Sequence, residues 1–374
     1  MSSISVCDPV TRATTTFDAL GKHQVSADPL DFLRQLERRV RAEPIQRFRS
    51  LGFLSYDLSR LFEPERMVDC RASGTNLPLF AFTAHSMPTS HLPALLEYDR
   101  AMPASEYAVR STFTRTAYVD AVRRVLDYIR AGDVYQVNVS QRFTVPLTAQ
   151  PYEIYCRLLE RSPAPYAAYL DFADFALISN SPELLFKVTP DRKIITRPIK
   201  GTRPRGQGME RELLESKKDQ AELAMIVDLE RNDLGRICET GSVRVVEPRI
   251  IEAHPTVYHG VATIEGQLRD DVGFVDVLRA MFPCGSVTGA PKIRAMQIID
   301  ELEPVRRGPY CGAIGYIAAD GSMEFNVAIR TMIVKDGLVH IPVGGGIVAD
   351  SNPADEYEET LVKARAMFAA LGIS

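Results

Sequence analysis

The sequence lacks the features that mark membrane, zinc-binding and disulfide-bonded proteins. Its six cysteines are scattered among 374 residues with no Cys-x-x-Cys pair, so neither a zinc site nor a disulfide framework is indicated, and reduced thiols are the simplest interpretation. No run reaches the 18 or so apolar residues that a membrane-spanning helix needs. The N-terminus shows no basic segment followed by an apolar core, so we expect a soluble, unexported, cytoplasmic protein. Tryptophan is absent, which is unusual at this length but excludes no class of protein.

An excess of charge of one sign is missing as well. Lysine and arginine number 44 against 48 aspartate and glutamate, which gives a net charge of −4 with both signs interspersed. This balance provides no electrostatic footprint for nucleic acid or for a membrane surface. The hydrophobic fraction of 45% is ordinary for a globular protein. The length predicts one large domain or two to three smaller ones.

The patterning of the chain changes near residue 110. Residues 1–110 are weakly patterned, with loops predicted at 87–90 and 102–105 from their proline and serine. From residue 111 to 374 the signals are stronger. Thr114 or Thr116 can cap a helix that ends at Gly132. We therefore expect an N-terminal part, 1–110, and a separately patterned part, 111–374.

Strands and long helices are mixed in the second part without regular βαβ alternation. An alternating strand over 136–143 places Gln136, Asn138, Ser140 and Arg142 on one face, which could meet solvent or line a wet cavity. Helices are expected over about 211–234, from about 274 and after Pro291, and a last one starts where Ser351-Asn352-Pro353 gives a cap and then proline at the first helical position. This pattern predicts an α+β fold with mostly antiparallel sheets. Further strands are expected at 175–179, 184–188, 193–196, 243–246, 257–264, 313–318, 325–334 and 339–343.

The most informative segment is Arg197–Thr202, which reads Arg-Pro-Ile-Lys-Gly-Thr. The β-branched pair Ile194-Ile195 precedes it and predicts a strand. The segment places the amine of Lys200 at the end of a predicted strand, next to a glycine that lets the backbone approach a ligand. Taken alone, a lysine before a glycine is also an ordinary solvated turn residue.

Acidic residues occur in two pairs with helical spacing. Asp219 and Glu222 are three apart on one predicted helix, and Glu356 and Glu359 are three apart on the last one. Two such pairs could hold Mg²⁺, which takes one or two carboxylates together with anionic groups of the substrate. The alternative is a solvated acidic first turn, with Glu359 paired to Lys363.

Glycine-rich turns and two buried cationic candidates complete the set. The segment 284–292 leads into a helix whose amides could bind an anion, although the ending of a P-loop is missing. Gly344–Gly346 could end a strand and offer amides to a carboxylate. Arg330, within a predicted strand, could bind a carboxylate bidentately or form a structural salt bridge. His259 is ambiguous in the same way.

Together these segments resemble the chorismate-utilising enzymes, which include the component I subunits of anthranilate synthase and aminodeoxychorismate synthase and the isochorismate and salicylate synthases. The resemblance covers about residues 112–370. It is carried, in the order typical of the family, by Ser181-Pro182-Glu183-Leu184, by Pro198–Thr202, by the segment 228–236, by 285–296 and by 344–363.

The resemblance implies a fold, a metal and a set of site residues. The fold would be a two-subdomain sandwich of mostly antiparallel sheets flanked by helices, with 111–374 as the chorismate-binding catalytic domain. Glu222 and Glu359 would bind Mg²⁺ directly, while Asp219 and Glu356 would hold its waters. The implied contacts to chorismate are Tyr310, Arg330 and Gly346 at the enolpyruvyl carboxylate, and Gly201, Thr202, Ser286 and His259 beside the ring.

Within the family, Lys200 favours the aminodeoxychorismate branch, because anthranilate synthases typically carry alanine before this Gly-Thr. The segment Gly52–Leu58 resembles the same branch. Gln136 stands where the isochorismate and salicylate synthases place a water-activating lysine. The resemblance thus implies amination of chorismate to 4-amino-4-deoxychorismate, for 4-aminobenzoate and folate synthesis, with Glu183 as the acid and Lys200 as the nucleophile.

Ammonia must come from elsewhere, because no cysteine of this chain sits in a glutaminase setting. A separate glutamine amidotransferase subunit in a heterodimer is therefore expected. Two alternatives stay open at this point: an anthranilate synthase component I, and a catalytically silent chorismate-binding subunit.

Overall fold

The computed structural model describes residues 4–7, 14–18, 21–26, 28–43, 48–67, 75–86 and 108–373. The loops predicted at 87–90 and 102–105 lie outside the described residues. Within them, the helices are α1 Pro29–Ala42, α2 Arg115–Arg130, α3 Pro151–Arg161, α4 Met209–Glu215, α5 Lys217–Gly235, α6 Phe274–Met281, α7 Lys292–Leu302 and α8 Pro353–Ala370, with 3-10 helices at Tyr56–Leu61 and Gly285–Val287.

The strands are β1 Ile4–Cys7, β2 Thr14–Asp18, β3 Gly21–Ser26, β4 Phe48–Leu54, β5 Phe80–Ser86, β6 Arg110–Ser111, β7 Gln136–Pro146, β8 Tyr166–Asp171, β9 Phe175–Ser181, β10 Leu184–Val188, β11 Lys193–Arg197, β12 Ile199–Pro204, β13 Arg244–Ala253, β14 Val257–Gln267, β15 Gly289–Ala290, β16 Ala313–Ala318, β17 Met323–Val327, β18 Thr331–Lys335 and β19 Leu338–Ile347.

These strands form two sheets, and every pairing between described strands is antiparallel. The first sheet has the order β12-β14-β11-β10-β17-β16-β4-β5-β1-β2-β3, with β13 added to β14. The second has the order β15-β7-β19-β18-β9-β8, with β6 added to β7. The expected α+β class with antiparallel sheets flanked by helices is confirmed.

The first sheet takes strands from both sides of the boundary expected at residue 110. Strand β4 pairs with β16 from Leu54 opposite Ala313 to Arg49 opposite Ala318. Strands from before and after residue 110 therefore belong to one continuous sheet. The division of the chain into 1–110 and 111–374 stays a prediction from sequence pattern.

Helix starts follow the capping residues that the sequence indicated. Thr114 accepts a hydrogen bond from the backbone of Ala117, and α2 begins directly after it. Asn352 accepts from Ala354 N, and Pro353 occupies the first turn of α8. A short polar side chain at the N-cap satisfies amide groups that have no partner within the helix.

Two predicted elements are each divided in the structure. The helix expected over 211–234 breaks at Ser216, which caps α5 by accepting from Asp219 N, so α4 and α5 are separate helices. The strand expected over 325–334 ends at Val327 and resumes at Thr331. Between them Arg330 adopts a φ of +48°, a left-handed conformation outside the region of regular β-strands.

The polar face of β7 is buried, so the solvent-facing alternative for that strand is wrong. Gln136, Asn138 and Ser140 are all nearly inaccessible. Glu303 accepts hydrogen bonds from the backbone and hydroxyl of Ser140 and forms an ion pair with Arg307. Arg307 in turn donates to the carbonyl of Asn138. This buried pair anchors α7 and the following loop to the second sheet.

The hydrophobic core is divided among several clusters. One packs α1, α5 and α6 against the first sheet around Phe186, Phe274 and Phe325. A second packs α3 and α8 against the second sheet. A third joins α2 and α7 to β7. A fourth cluster packs Phe53 of the first sheet against Phe175 of the second, so the two sheets also share an apolar core between them. Among the described helices, none combines the length and the apolar character needed to span a bilayer.

Candidate active site

Lys200 lies within β12 and not at a turn after a strand, which corrects the expected placement. Its neighbour Gly201 has a φ of +83° and sits at an irregularity in the pairing of β12 with β14. A Cβ on Gly201 would come within 2.6 Å of a Leu213 methyl group and 2.8 Å of the Asp219 carboxyl carbon. Both the conformation and the close approach of α4 and α5 therefore require glycine here.

The amine of Lys200 reaches across from the first sheet to the second. It donates to Gln136 Oε1 at 3.2 Å and lies 3.8 Å from Glu222 Oε2. Burial lowers the pKa of Lys200, with Lys363 acting in the same direction, against the opposing effects of Glu222, Glu183 and Glu359. An amine with a lowered pKa in such a position is able to act as a nucleophile.

Glu183 sits in the turn between β9 and β10 and is 4% exposed. Its Oε1 accepts from the hydroxyl of Ser286 at 2.7 Å and from the amide of Ile199, in the strand that carries Lys200, at 3.4 Å. Burial raises the pKa of Glu183, and the charges of Lys200 and Arg330 only partly oppose it. A buried carboxyl with a raised pKa is suited to donate a proton.

The four predicted metal-site carboxylates come from α5 and α8, and each has a local partner. Asp219 pairs with Arg203 at 3.1 Å, and Glu359 with Lys363 at 2.6 Å. Glu222 lies near Lys200 and 3.9 Å from Lys218, and Glu356 accepts from Ser351. Within the described residues, no three His, Cys, Asp or Glu side chains already form a metal-binding group.

The two acidic helices nevertheless act on one shared space. Burial tends to raise the pKa of Glu359, but Lys363, Lys218 and Lys200 together lower it. Burial also raises the pKa of Glu356, and Lys218 on the opposite helix opposes that shift. Lysines thus supply the positive charge that these carboxylates require. Two direct carboxylates with further water-held ones are a donor set that fits Mg²⁺.

The three glycines Gly344–Gly346 lie inside β19, paired to β7, and do not end the strand as expected. A Cβ on Gly345 would be 3.1 Å from Glu356 Oε2, and one on Gly346 would be 3.3 Å from Lys200 Nζ. The bare backbone leaves room beside both the acidic pair and the amine. Any side chain here would enter the site.

Arg330, His259 and Thr202 line the same region. Within the described residues the guanidinium of Arg330 has no ion pair, and burial lowers its pKa against the opposing charge of Glu183. The expected alternative of a structural salt bridge is therefore wrong. His259 Nδ1 lies 2.9 Å from Thr202 Oγ1. Burial lowers the pKa of His259 to about 3, so the ring is neutral at pH 7.

Tyr310 is buried beside Cys311, and burial raises the pKa of its phenol well above the usual value. Its acidity is also influenced by Arg307 and Glu303 of the buried pair. Contacts join most of the other predicted site residues to one another, but Tyr310 connects to them only through this structural cluster. Its assignment to substrate remains a prediction.

Sequence reasoning missed a second buried acid, Glu230 on α5, which is 3% exposed. It accepts from Thr196 at 2.6 Å and from the Cys284 thiol at 3.7 Å. The spacing of the helix could have revealed it, because Glu230 falls on the same buried face of α5 as Leu223, Val227 and Leu234. A charged residue on an apolar stripe marks a buried group.

The sequence profile of the family described as chorismate binding enzyme matches residues 5–369. The chain is 40% identical over 399 residues to anthranilate synthase component 1 of Thermus thermophilus, across 95% of this chain and 85% of that one. It is 44% identical over 292 residues to aminodeoxychorismate synthase component 1 of Bacillus subtilis, across 76% of this chain and 62% of that one.

The fold matches the crystal structure of anthranilate synthase component I from Streptococcus pneumoniae with a TM-score of 0.82 and 31% identity, across 98% of this chain and 92% of that one. Several other curated relatives are matched over little more than half of their length, for example 56% for anthranilate synthase component 1 of Pseudomonas putida. The length and the fold agree with the profile match, and the chain belongs to the chorismate binding enzyme family.

Proposed function

We propose that this chain is the synthase component that aminates chorismate with ammonia to give 4-amino-4-deoxychorismate, the reaction of aminodeoxychorismate synthase component I. The observation that carries the proposal is the amine of Lys200, buried between Gln136 and Glu222 with its pKa lowered. Direct addition of ammonia to chorismate would need no lysine amine beside the substrate. A reaction through a covalent enzyme intermediate needs such an amine as its nucleophile.

The acid in this route is Glu183. Hydroxide is a poor leaving group, so Glu183 protonates the C4 hydroxyl of chorismate, the C4–O bond breaks, and water forms. Lys200 attacks C2 as this bond breaks. Ammonia then adds at C4, and the C2–N bond to Lys200 breaks. The enolpyruvyl group remains on the product, and a separate lyase would be needed to remove it.

Lys200 can attack only while it is uncharged. A lysine amine with its ordinary pKa near 10.4 is neutral in only about one molecule in 10³ at pH 7. Burial and the nearby Lys363 charge both increase that fraction. Gln136 accepts a hydrogen bond from the amine and fixes its direction. The amide of Gln136 is too weakly basic to activate water, which favours an amine nucleophile.

The substrate would lie between the sheets, held by a cation, a phenol, backbone groups and short polar side chains. The guanidinium of Arg330, which has no ion pair among the residues that the structure describes, would bind the enolpyruvyl carboxylate together with Tyr310 and the backbone at Gly346. Gly201, Thr202, Ser286 and the neutral ring of His259 would contact the chorismate ring. A neutral histidine can accept or donate one hydrogen bond without adding charge.

Glu222 and Glu359 would hold Mg²⁺ directly, with Asp219 and Glu356 binding its waters. When bound, the ion would supply positive charge against the ring carboxylate of chorismate. Lys218 and Lys363 lie beside Glu222 and Glu359, and Gly345 leaves the space in front of Glu356 open.

The ammonia would come from a separate glutamine amidotransferase subunit. The described cysteines Cys156, Cys238, Cys284 and Cys311 are all buried, and burial raises their pKa values. Such thiols are poor nucleophiles for glutamine hydrolysis. A heterodimer with a dedicated glutaminase therefore accounts best for the amine supply.

A second candidate is anthranilate synthase component I. The relatives from Thermus thermophilus and Pseudomonas aeruginosa, at 40% and 48% identity, carry that name. A catalytically silent subunit is disfavoured, because Glu183, Lys200, Glu222 and Glu359 are all present. Mass analysis of the product formed from chorismate, Mg²⁺ and an ammonium salt distinguishes the three. An amino product that retains the enolpyruvyl group supports our proposal, anthranilate with pyruvate supports the second candidate, and no turnover supports the third.

A further inference from the structure

A continuous chain of four buried polar groups joins the proposed acid to a second carboxyl group. Ser286 Oγ donates to Glu183 Oε1 at 2.7 Å, and it lies 3.2 Å from Cys284 Sγ. The thiol of Cys284 in turn lies 3.7 Å from Glu230 Oε1. All four side chains are at most 6% exposed. Each link is within hydrogen-bond range for its atoms.

The chain exists because α5 and the segment before α7 approach unusually closely. A Cβ on Gly285 would be 2.2 Å from a methyl carbon of Leu229, the residue before Glu230. A side chain at position 285 would displace the Leu229 side chain, and glycine leaves the thiol of Cys284 close to the helix. On its other side, Glu230 Oε2 accepts from Thr196 Oγ1 at 2.6 Å, which fixes the carboxyl group.

We infer that Glu230 is the proton reserve for Glu183, and that Cys284 and Ser286 form the relay between them. This inference rests on the proposed role of Glu183 as the acid. It also rests on the alkyl amine product of the proposed reaction, because the aromatic amine of anthranilate would leave uncharged and the turnover would then consume no proton.

The proposed reaction consumes one proton in each turnover. Ammonia enters uncharged, and the C4–O bond breaks as water leaves with the proton of Glu183. The product amine, an alkyl amine like that of lysine with a pKa near 10.4, leaves as an ammonium ion at neutral pH. Glu183 must therefore be reprotonated before the next turnover, although it is sealed from solvent.

The relay supplies that proton by three transfers, once the Cys284 thiol turns its proton from Glu230 Oε1 to Ser286 Oγ and its sulfur accepts from the protonated Glu230. The hydroxyl proton of Ser286 moves to Glu183, the thiol proton of Cys284 moves to Ser286, and the carboxyl proton of Glu230 moves to Cys284. Each intermediate group gives one proton and receives one. Glu230 is left as a carboxylate, and it recovers its proton from the side of the Lys292–Asp233 ion pair, whose side chains are 16% and 9% exposed.

The surroundings of Glu230 are consistent with a stored proton. Burial raises the pKa of Glu230 to about 8. The negative charges of Glu183 and Asp233 act in the same direction, whereas the Thr196 hydrogen bond and the charge of Lys292 oppose them. Glu230 thus keeps its proton at pH 7, and burial holds the thiol of Cys284 protonated as well.

The test compares the first turnover with later ones by rapid quench at pH 7, with total amino product as the readout. Glu230→Gln keeps the shape of the side chain but holds no carboxyl proton, and Cys284→Ala breaks the relay. Both variants should complete the first turnover at the wild-type rate and then slow about tenfold, less than the about 10²–10⁴-fold that the acid itself contributes. Cys284→Ser keeps a transferable proton and should stay close to wild type after the first turnover.

A wild-type steady-state rate in both Glu230→Gln and Cys284→Ala would overturn the relay. So would an equal loss in first and later turnovers, which would indicate only a structural role. Glu183→Gln is the reference: if it loses the first turnover while the relay variants behave as wild type, the relay alone is wrong. If Glu183→Gln keeps the first turnover, the proposed acid is wrong.

Discussion

Lys200 and Gln136 meet across the two sheets, with the lysine amine 3.2 Å from the side-chain oxygen of the glutamine. Lys200 belongs to β12 of the first sheet and Gln136 to β7 of the second. The candidate site is therefore formed only when both sheets have packed together. Glu222 of α5 lies 3.8 Å from the same amine, and the charge of Glu359 on α8 also acts on it.

Replacing Lys200 with alanine should lower the rate of 4-amino-4-deoxychorismate formation by at least about 10²-fold, the lower end of what a single positioned proton-transfer group contributes. The fold should persist, because the amine makes one hydrogen bond and one longer ionic contact. The variant should also divert turnover toward anthranilate. Steady-state rates and product analysis measure the two effects.

Lys187→Ala is the matched control, since Lys187 lies on β10 and pairs with Glu324 on the exposed surface. It should keep wild-type activity. If Lys200→Ala also formed aminodeoxychorismate at the wild-type rate, Lys200 would not be the nucleophile.

Glu222→Gln and Glu359→Gln should each raise the Mg²⁺ concentration needed for half-maximal activity and lower the maximal rate. A neutral amide is a weaker ligand than a carboxylate for a hard cation. Titration of activity with Mg²⁺ measures both effects. Glu358→Gln changes the neighbouring residue on α8, an exposed partner of Arg115, and should have no effect. Unchanged Mg²⁺ dependence in the first two variants would make the acidic pairs ordinary helix-surface residues.

Glu183→Gln should lower the rate by about 10²–10⁴-fold, as expected for loss of a general acid. Burial raises the pKa of Glu183, so its proton is present at low pH and is lost as pH rises through that raised value. With free ammonia held constant, the wild-type rate should therefore fall on the alkaline side of its pH profile, after the rise that comes from deprotonation of Lys200. The variant should show no such fall. An identical pH profile in both proteins would remove Glu183 from the acid role.

Breaking the buried pair of Glu303 and Arg307 should cost about 3–5 kcal/mol of the free energy of unfolding. Their side chains are 5% and 2% exposed, and Arg307 also holds the carbonyls of Asn138 and Val287. Arg307→Met would leave Glu303 buried without its cation. Urea unfolding measures the change.

The control for that measurement is Arg211→Met. Arg211 pairs with Glu215 on the surface, with exposed fractions of 80% and 61%. Such surface pairs contribute about 0–1 kcal/mol. Equal effects of the two substitutions would show that the buried pair does not anchor β7.

The purified chain should use ammonia but not glutamine. Ammonia is mostly ammonium at neutral pH, so at a fixed total concentration the supply of free amine increases as pH rises toward about 9. Addition of the cognate amidotransferase should confer use of glutamine at neutral pH. Glutamine-dependent turnover by the chain alone would contradict the proposed partner.

The sequence predicted most of the fold because its signals were local. The Thr114 and Asn352 caps, and strand β10 at Leu184–Val188, depend on residues that are neighbours in sequence. Predictions failed where tertiary contacts decide. Arg330 has strand-forming neighbours, yet it takes a left-handed conformation between β17 and β18. Gly344–Gly346 resemble a turn but pair fully with β7.

The candidate site was predicted residue by residue through resemblance, and much less through spacing. Spacing placed Asp219 with Glu222 and Glu356 with Glu359 on helix faces. It could not predict that the two helices lie close to each other in the fold. Glu230 was missed because its burial depends on Thr196 and Cys284, which are distant in sequence. A single charged residue on an apolar helix face indicates burial but not its partners.

The most direct test of the central claim is intact-protein mass spectrometry after rapid quench of enzyme with chorismate and Mg²⁺ in the absence of ammonia. We predict a covalent adduct with the mass of chorismate minus water, located at Lys200 by peptide mapping and absent from Lys200→Ala. Addition of ammonia should discharge it as aminodeoxychorismate. An enzyme that turns over with ammonia, yet carries no such adduct under any quench time, would contradict nucleophilic catalysis by Lys200.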